Sequence, residues 1–172
     1  MKKVYLSIVN RLREKVPGIQ TIDLFFGQYR NPEKEHPIET PAVFIEFPSL
    51  PFLTTGNNTS SAKATIKIHI AITSMEDTGS TPLPFDNSSG LSFLDTIDQI
   101  HKALQGFAPD NSSRLQGGEL IQDTDNDATI VFVRDYICEI YDYSTANDVD
   151  YTAIKNSEGT DVVLKPQPHI IN

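Results

Sequence analysis

Residues 62–73 read AKATIKIHIAIT, and the fold class turns on their spacing. Ala62, Ala64, Ile66, Ile68, Ile70 and Ile72 alternate without a break with Lys63, Thr65, Lys67, His69, Ala71 and Thr73. Side chains along a strand point to opposite faces in turn, so this period of two sets one apolar row on a core and leaves the other face largely wet. His69 falls on the polar side. A second long strand is expected over 128–143. There Ile130 and Phe132 share a face with Tyr136, Cys138 and Ile140, while Val131, Val133, Ile137 and Tyr141 share the other. Two apolar faces predict a central strand covered on both sides.

Working outward, the proline-bracketed PAVFIEFP (41–48) predicts a short strand with Val43, Ile45 and Phe47 on one side and Ala42, Phe44 and Glu46 on the other. Ile19 to Phe26 predicts another, with Ile22, Leu24 and Phe26 aligned, and a further short one falls around Glu119 to Gln122. Two amphipathic helices flank these strands. The first runs from Lys2 to Lys15, where Val4, Ile8 and Leu12 recur every four residues with Tyr5, Val9 and Val16 beside them. Lys3, Asn10, Arg11, Arg13 and Glu14 form its wet side, and Pro17-Gly18 ends it. The second runs from Leu91 to Phe107, with Leu94, Ile97, His101 and Leu104 on one face, Phe93 and Ile100 alongside, and Ser92 with Asp95 as a capping pair.

Polar loops are expected at 27–40, at 51–61 and over the long stretch Met75–Gly90. The expected architecture is α+β: a mixed, mostly antiparallel sheet of about five strands flanked by two helices. Residues 1–143 form that single domain, and 144–172, with Pro166 and Pro168, read as an extended C-terminal arm.

At 172 residues, with 38% hydrophobic and 22% charged side chains, the composition is that of one globular domain. No apolar run approaches the ~20 residues of a bilayer helix. Ser7, Asn10 and Arg11 interrupt the apolar stretch after Lys2-Lys3, so an export signal is not expected. Cys138 is the one cysteine, which rules out an intrachain disulfide and suits a reducing compartment. The sequons at Asn57, Asn58, Asn87 and Asn111 read as polar loops. A net charge of -9 with no basic cluster disfavours sequence-specific nucleic-acid binding, although it suits a surface past which DNA slides.

Candidate chemistry is sparse. Asp123-x-Asp125-x-Asp127 opens like a calcium loop, but the sixth position holds Ala128 where glycine is needed and the twelfth holds Arg134 where a bidentate glutamate is needed. It reads as an acidic hairpin turn. His36, His69, His101 and His169 are scattered without metal-ligand spacing, and His69 and His101 read as satisfied structural histidines. Cys138, inside a strand, reads as a core thiol rather than a nucleophile. No nucleophile elbow, phosphate-binding glycine loop or dinucleotide fingerprint is present. No catalytic, cofactor-binding or metal residue is assigned, no cofactor is expected, and the protein is not expected to be an enzyme.

The opening VYLSIVNRLREKVPGI (4–19), PAVFIEFP (41–48), SAKATIKIHIAITS (61–74) and FLDTIDQIHKAL (93–104), in the order helix, strand, strand, strand, helix, strand, strand, look like the tail-completion or tail-terminator proteins of long-tailed bacteriophages. The resemblance covers roughly Met1 to Tyr143 and rests on element order and texture, leaving the Met75–Gly90 loop and the arm unexplained. It implies a structural homo-oligomer, usually a sixfold ring, that ends the tail tube at the head–tail junction. Its partners would be the tail-tube protein and a head-closure or neck protein. DNA would pass through the ring, with no membrane involved, and the protein would lie in the virion tail and in the host cytoplasm during assembly. Ring closure needs two different complementary surfaces on each subunit, which the long loops and the arm could supply. Glu119, Asp123, Asp125 and Asp127 could line the DNA passage or face outer solvent. Two alternatives remain at this point. One is a neighbouring neck or head-closure connector; the other is a small ligand-binding domain or enzyme with polar groups converging on His101 or Cys138 between sheet and helices.

Overall fold

The computed structural model describes residues 1–30, 38–56, 59–72, 92–124 and 129–144, and the backbone of 154–155 and 161–162. Residues 62–72 belong to a longer strand, β4 (Thr59–Ile72), which pairs antiparallel with β6 (Ile130–Asp142) from Ser60↔Asp142 to Ile72↔Ile130; Thr73 lies outside the described residues. On the other side of β4 lies β2 (Ala42–Glu46), also antiparallel, and outside it β1 (Thr21–Leu24), which runs parallel to β2. β5 (Gln116–Asp123) closes the far edge against β6. β3 (Leu53–Gly56) pairs with the start of β4, making a six-stranded sheet, mixed and mostly antiparallel.

The fold is α+β, as expected, with β3 as the strand beyond five. The loop expected over 51–61 is a hairpin instead. Polar Thr54, Thr55, Ser60 and Ser61 hide it from a reading based on apolar alternation, because all of β3 is exposed and little apolar area marks it. Hydrogen bonds do the work, Thr59 Oγ1 donating to the Gly56 carbonyl at 2.6 Å.

Both helices lie on one face. α1 (Lys2–Lys15) has the expected limits, and its buried residues are Val4, Ile8, Val9 and Leu12. α2 (Ser92–Leu104) ends three residues earlier than expected, because Gly106 takes a positive φ of 74° and its N–H donates to the Leu115 carbonyl at 2.9 Å. Its inward stripe is Phe93, Ile97, Ile100 and Leu104, spaced 4, 3 and 4 apart. Leu94, expected on that face, is displaced from the stripe by one residue, about 100° of rotation, and is 43% exposed. Arg11, expected to be wet, is half-buried: its Nε donates to the Ala103 carbonyl at 3.0 Å and its guanidinium lies 5.1 Å from the Phe107 ring centre. A cation at the C-terminal end of α2 answers free carbonyls and the helix dipole together. That contact binds the two helices to each other.

Beneath them the sheet contributes Val43 and Ile45, the row Ala64 to Ile72 of β4, and Tyr136, Cys138 and Ile140 of β6. β5 reaches under the end of α2 because Gly117 has no Cβ, which would stand 2.8 Å from both Gln105 Oε1 and His101 Cε1. Of the expected arm, Ile154–Lys155 and Asp161–Val162 pair antiparallel as a ladder separate from the main sheet. The loop expected over Met75–Gly90 lies outside the described residues.

Ile66 is fully buried between the helices and the sheet. Ile66→Ala is expected to lower unfolding free energy by about 2–5 kcal/mol. Leu94→Ala should stay within roughly 0.5 kcal/mol. Urea midpoints of the two variants check the assignment of faces.

Candidate functional site

The face of the sheet turned away from the helices is built in rows that follow the pairing register. Ala42, Ala71 and Val131 form the first, Phe44, His69 and Val133 the second, and Glu46, Lys67 and Asp135 the third. The first two rows are apolar apart from His69, and a short segment covers them. β1 ends at Leu24, Gly27 turns the chain at a φ of 85°, and a 3-10 turn at Gln28–Arg30 carries Tyr29 over the sheet. Gln28 fixes this turn from inside: its Oε1 accepts from Phe26 N–H at 2.7 Å and its Nε2 donates to the Leu24 carbonyl at 2.6 Å. Phe26, expected to share a face with Ile22 and Leu24, is 75% exposed beyond the end of β1, and Phe25 packs inward.

His69 is thereby buried at 3% exposure, not wet. Phe25 stacks on its ring at 4.0 Å between centres and 11° between planes. Its Nε2 stands 2.8 Å from Glu46 Oε2 and its Nδ1 2.8 Å from Tyr29 Oη. Tyr29 Oη also lies 3.2 Å from Asp123 Oδ2, and Arg30 Nη2 donates to that oxygen at 3.3 Å. Arg30 itself lies over Phe25 and Tyr29 at 5.6 and 5.8 Å from their ring centres. Five polar side chains from β2, β4, the 3-10 turn and β5 thus form one chain.

Burial pushes the His69 pKa below the ordinary histidine value, against the pull of Glu46. Burial first, and then the charge of Asp123, push the Tyr29 pKa up to about 12. A phenol held protonated in this way is no nucleophile at neutral pH, and both ring nitrogens of His69 already face partners. The arrangement is that of a structural latch. A groove of ≈ 410 Å³, lined by Glu46, His69, Asp123 and Arg30 of the latch together with Lys67, Ile121 and Asp135, opens on the face opposite the helices.

The other expected candidates lie apart from this cluster. Cys138 is buried in the helix-side core, and burial pushes its pKa up to about 11, as befits a core thiol. His101, half-buried on α2, has Nδ1 3.1 Å from Tyr136 Oη. Burial, then the Arg134 charge, hold its pKa below the ordinary value. A pocket between sheet and helices would require polar groups converging on His101 or Cys138; there His101 meets Tyr136, and Cys138 is packed in the core cluster. Of the acidic triplet, Asp123 is engaged by Tyr29 and Arg30, while Asp125 and Asp127 lie outside the described residues, as do His36 and His169. No group of three metal-ligating side chains occurs among the described residues. Asn111 takes a φ of 59°, and its carbonyl accepts from Tyr141 N–H at 2.8 Å.

Among the described residues, nothing gives the second half of the same face such cover. β6 is buried on both sides only where the 3-10 segment lies over Val131; further along, Ile137 is 39% and Tyr143 49% exposed. The expectation of a strand covered on both faces therefore holds for one half. All of β5 but Asp123 is exposed, including Leu120 and Ile121, and among the described residues no strand pairs with its outer edge.

Stability has a pH signature, to which the latch contributes through His69 and Tyr29. The His69 and His101 pKa values are lowered by folding, so the unfolded state binds more protons below about 6.5. Their contribution to stability is complete above that pH and is lost as pH falls through the folded values. Tyr29, Tyr136 and Cys138 are raised, so stability is also lost above the unfolded values of about 9–10. Urea midpoints measured across pH should form a plateau between about 7 and 9, and His69→Gln should flatten the limb between about 6.5 and 5.5, where carboxylates still hold their charge. Compared with protein-family models and with curated proteins, the chain matches none, so its geometry and chemistry carry the functional reading.

Proposed function

We propose that this protein is a structural subunit of a phage or prophage tail, closing into a ring that terminates the tail tube at the head–tail junction. The observation that carries the reading is the one-sided sheet. Both helices cover one face, while half of the opposite face and the outer edge of β5 remain free of described cover. Heterologous closure of a ring requires two different complementary patches on each subunit, and the open half-face and the outer edge of β5 offer two distinct exposed surfaces. The element order of the described domain, with a helix leading three strands and a second helix leading two more, agrees with the tail-terminator resemblance once the β3 hairpin is set aside. The net charge of -9 is compatible with a conduit that DNA traverses without adhering.

Exposed Ile137 stands on the open face between Thr65 of β4 and Gln116 of β5. Light scattering after size-exclusion chromatography is expected to find a ring, alone or on addition of the tail-tube protein. Ile137→Arg should reduce it to monomers while leaving the urea midpoint near that of the parent, since the site is exposed. A protein monomeric at every concentration, with no affinity for tail tube, would falsify the reading.

A further inference from the structure

The latch around His69 contains three contacts at hydrogen-bonding distance: Glu46 Oε2 to His69 Nε2 at 2.8 Å, His69 Nδ1 to Tyr29 Oη at 2.8 Å, and Tyr29 Oη to Asp123 Oδ2 at 3.2 Å. Each needs one proton. Carboxylates only accept, a neutral imidazole carries one N–H, and a phenol carries one O–H. With a neutral ring, two protons must serve three contacts. Glu46 requires the ring proton on Nε2, so Nδ1 is left as an acceptor and takes the Tyr29 hydroxyl. The contact then left without a proton is Tyr29 to Asp123, the longest of the three. A protonated ring removes the deficit: Nε2–H donates to Glu46, Nδ1–H donates to Tyr29 Oη, and the phenol proton is released toward Asp123.

We propose that the Tyr29 hydroxyl is a two-position switch, donating to His69 when the ring is neutral and to Asp123 when the ring takes up a proton. Tyr29 remains protonated in both positions because burial and the neighbouring Asp123 charge push its pKa up to about 12. Arg30 holds Asp123 Oδ2 in both states. The charges that face the ring are Glu46 from β2, Lys67 from β4, Arg30 from the 3-10 turn, Asp123 from β5 and Asp135 beside Lys67 on β6. Lys67 and Arg30 oppose protonation, Glu46 favours it, and burial opposes it most.

Two effects of one proton therefore have opposite signs. The buried charge weakens the fold as a whole, yet the link from the sheet centre to the end of β5 gains a hydrogen bond. Since β5 ends at Asp123 and the acidic stretch 123–127 starts there, a proton bound at the sheet centre is felt at an exposed edge of the molecule. The inference concerns the isolated fold and does not depend on ring assembly.

Nitrogen and carbon NMR on the labelled full chain tests it. At neutral pH the ring should be the Nε2–H tautomer. As pH falls, the Tyr29 Cζ and Asp123 Cγ signals should move with the midpoint of His69. In Tyr29→Phe, which keeps the ring packing, His69 should titrate about one pH unit lower, because its Nδ1–H loses an acceptor, and Asp123 should cease to follow it. A neutral ring protonated on Nδ1, a His69 midpoint unmoved by Tyr29→Phe, or an Asp123 signal that still follows His69 in that variant overturns the switch. Should Tyr29→Phe fail to fold, the tautomer and the Tyr29 Cζ response of the parent protein decide the matter.

Discussion

The pairing of β4 with β6 is the constraint on which the other elements depend. It runs from Ser60↔Asp142 to Ile72↔Ile130, and a register shift of one residue would turn the whole isoleucine row of β4 out of the core. Because the register is held, Ile66 and Tyr136 meet on the helix side while His69 and Val133 meet on the other. The helices then have one apolar face to cover, and their own stripes of Val4, Ile8 and Leu12 and of Ile97, Ile100 and Leu104 match it. The Arg11 contact with the last turn of α2 closes the gap between the helices without another apolar residue.

The same register makes the second face uneven along its length. At one end the opposed residues are small or aromatic, so a turn carrying Phe25 and Tyr29 can lie flat on them. One row further on, Glu46, Lys67 and Asp135 stand side by side, and taking such charges out of water costs more than their attraction returns unless each is fully hydrogen-bonded. Apolar cover stops at that row. His69 lies at the boundary, with an apolar ring stacked on Phe25 and two nitrogens that reach Glu46 and Tyr29. A buried polar group is tolerated where its hydrogen bonds are met, and this position meets them.

Much of this was legible from residue spacing. The limits of α1, the long strands, the short PAVFIEFP strand and the core position of Cys138 follow from periodicity and from helix-breaking residues. What spacing hid was cover supplied by a loop. Tyr29 sits in the stretch 27–40, whose prolines and charges read as a polar loop, Phe25 falls within a stretch read as strand, and no period marks a 3-10 turn of three residues. A signal was nonetheless present: Ala42 and Phe44 on β2, Ala71 and His69 on β4, and Val131 and Val133 on β6 depart from a wet face at the same end of their strands. The β3 hairpin escaped for a different reason, since it is joined by backbone and threonine hydrogen bonds and buries little apolar surface. Leu94 shows the limit of helical counting, where one position decides between core and solvent.

Latch and open surface stand close together, and their chemistry differs. The covered end draws on groups that satisfy one another within a few ångströms, which leaves little for a ligand to replace. The open end presents Ile137 and Tyr143 among the charges of Lys63, Glu139 and Asp135. Interfaces between proteins combine an apolar centre with a charged rim in this way, whereas a small-molecule site is concave and mostly apolar. The two halves meet at Asp123, which belongs to the latch through Tyr29 and Arg30 and to the exposed edge through β5. A contact made by a neighbour along β5 would therefore act on the same carboxylate that a proton at His69 reaches from inside, and assembly and protonation would be linked through one side chain.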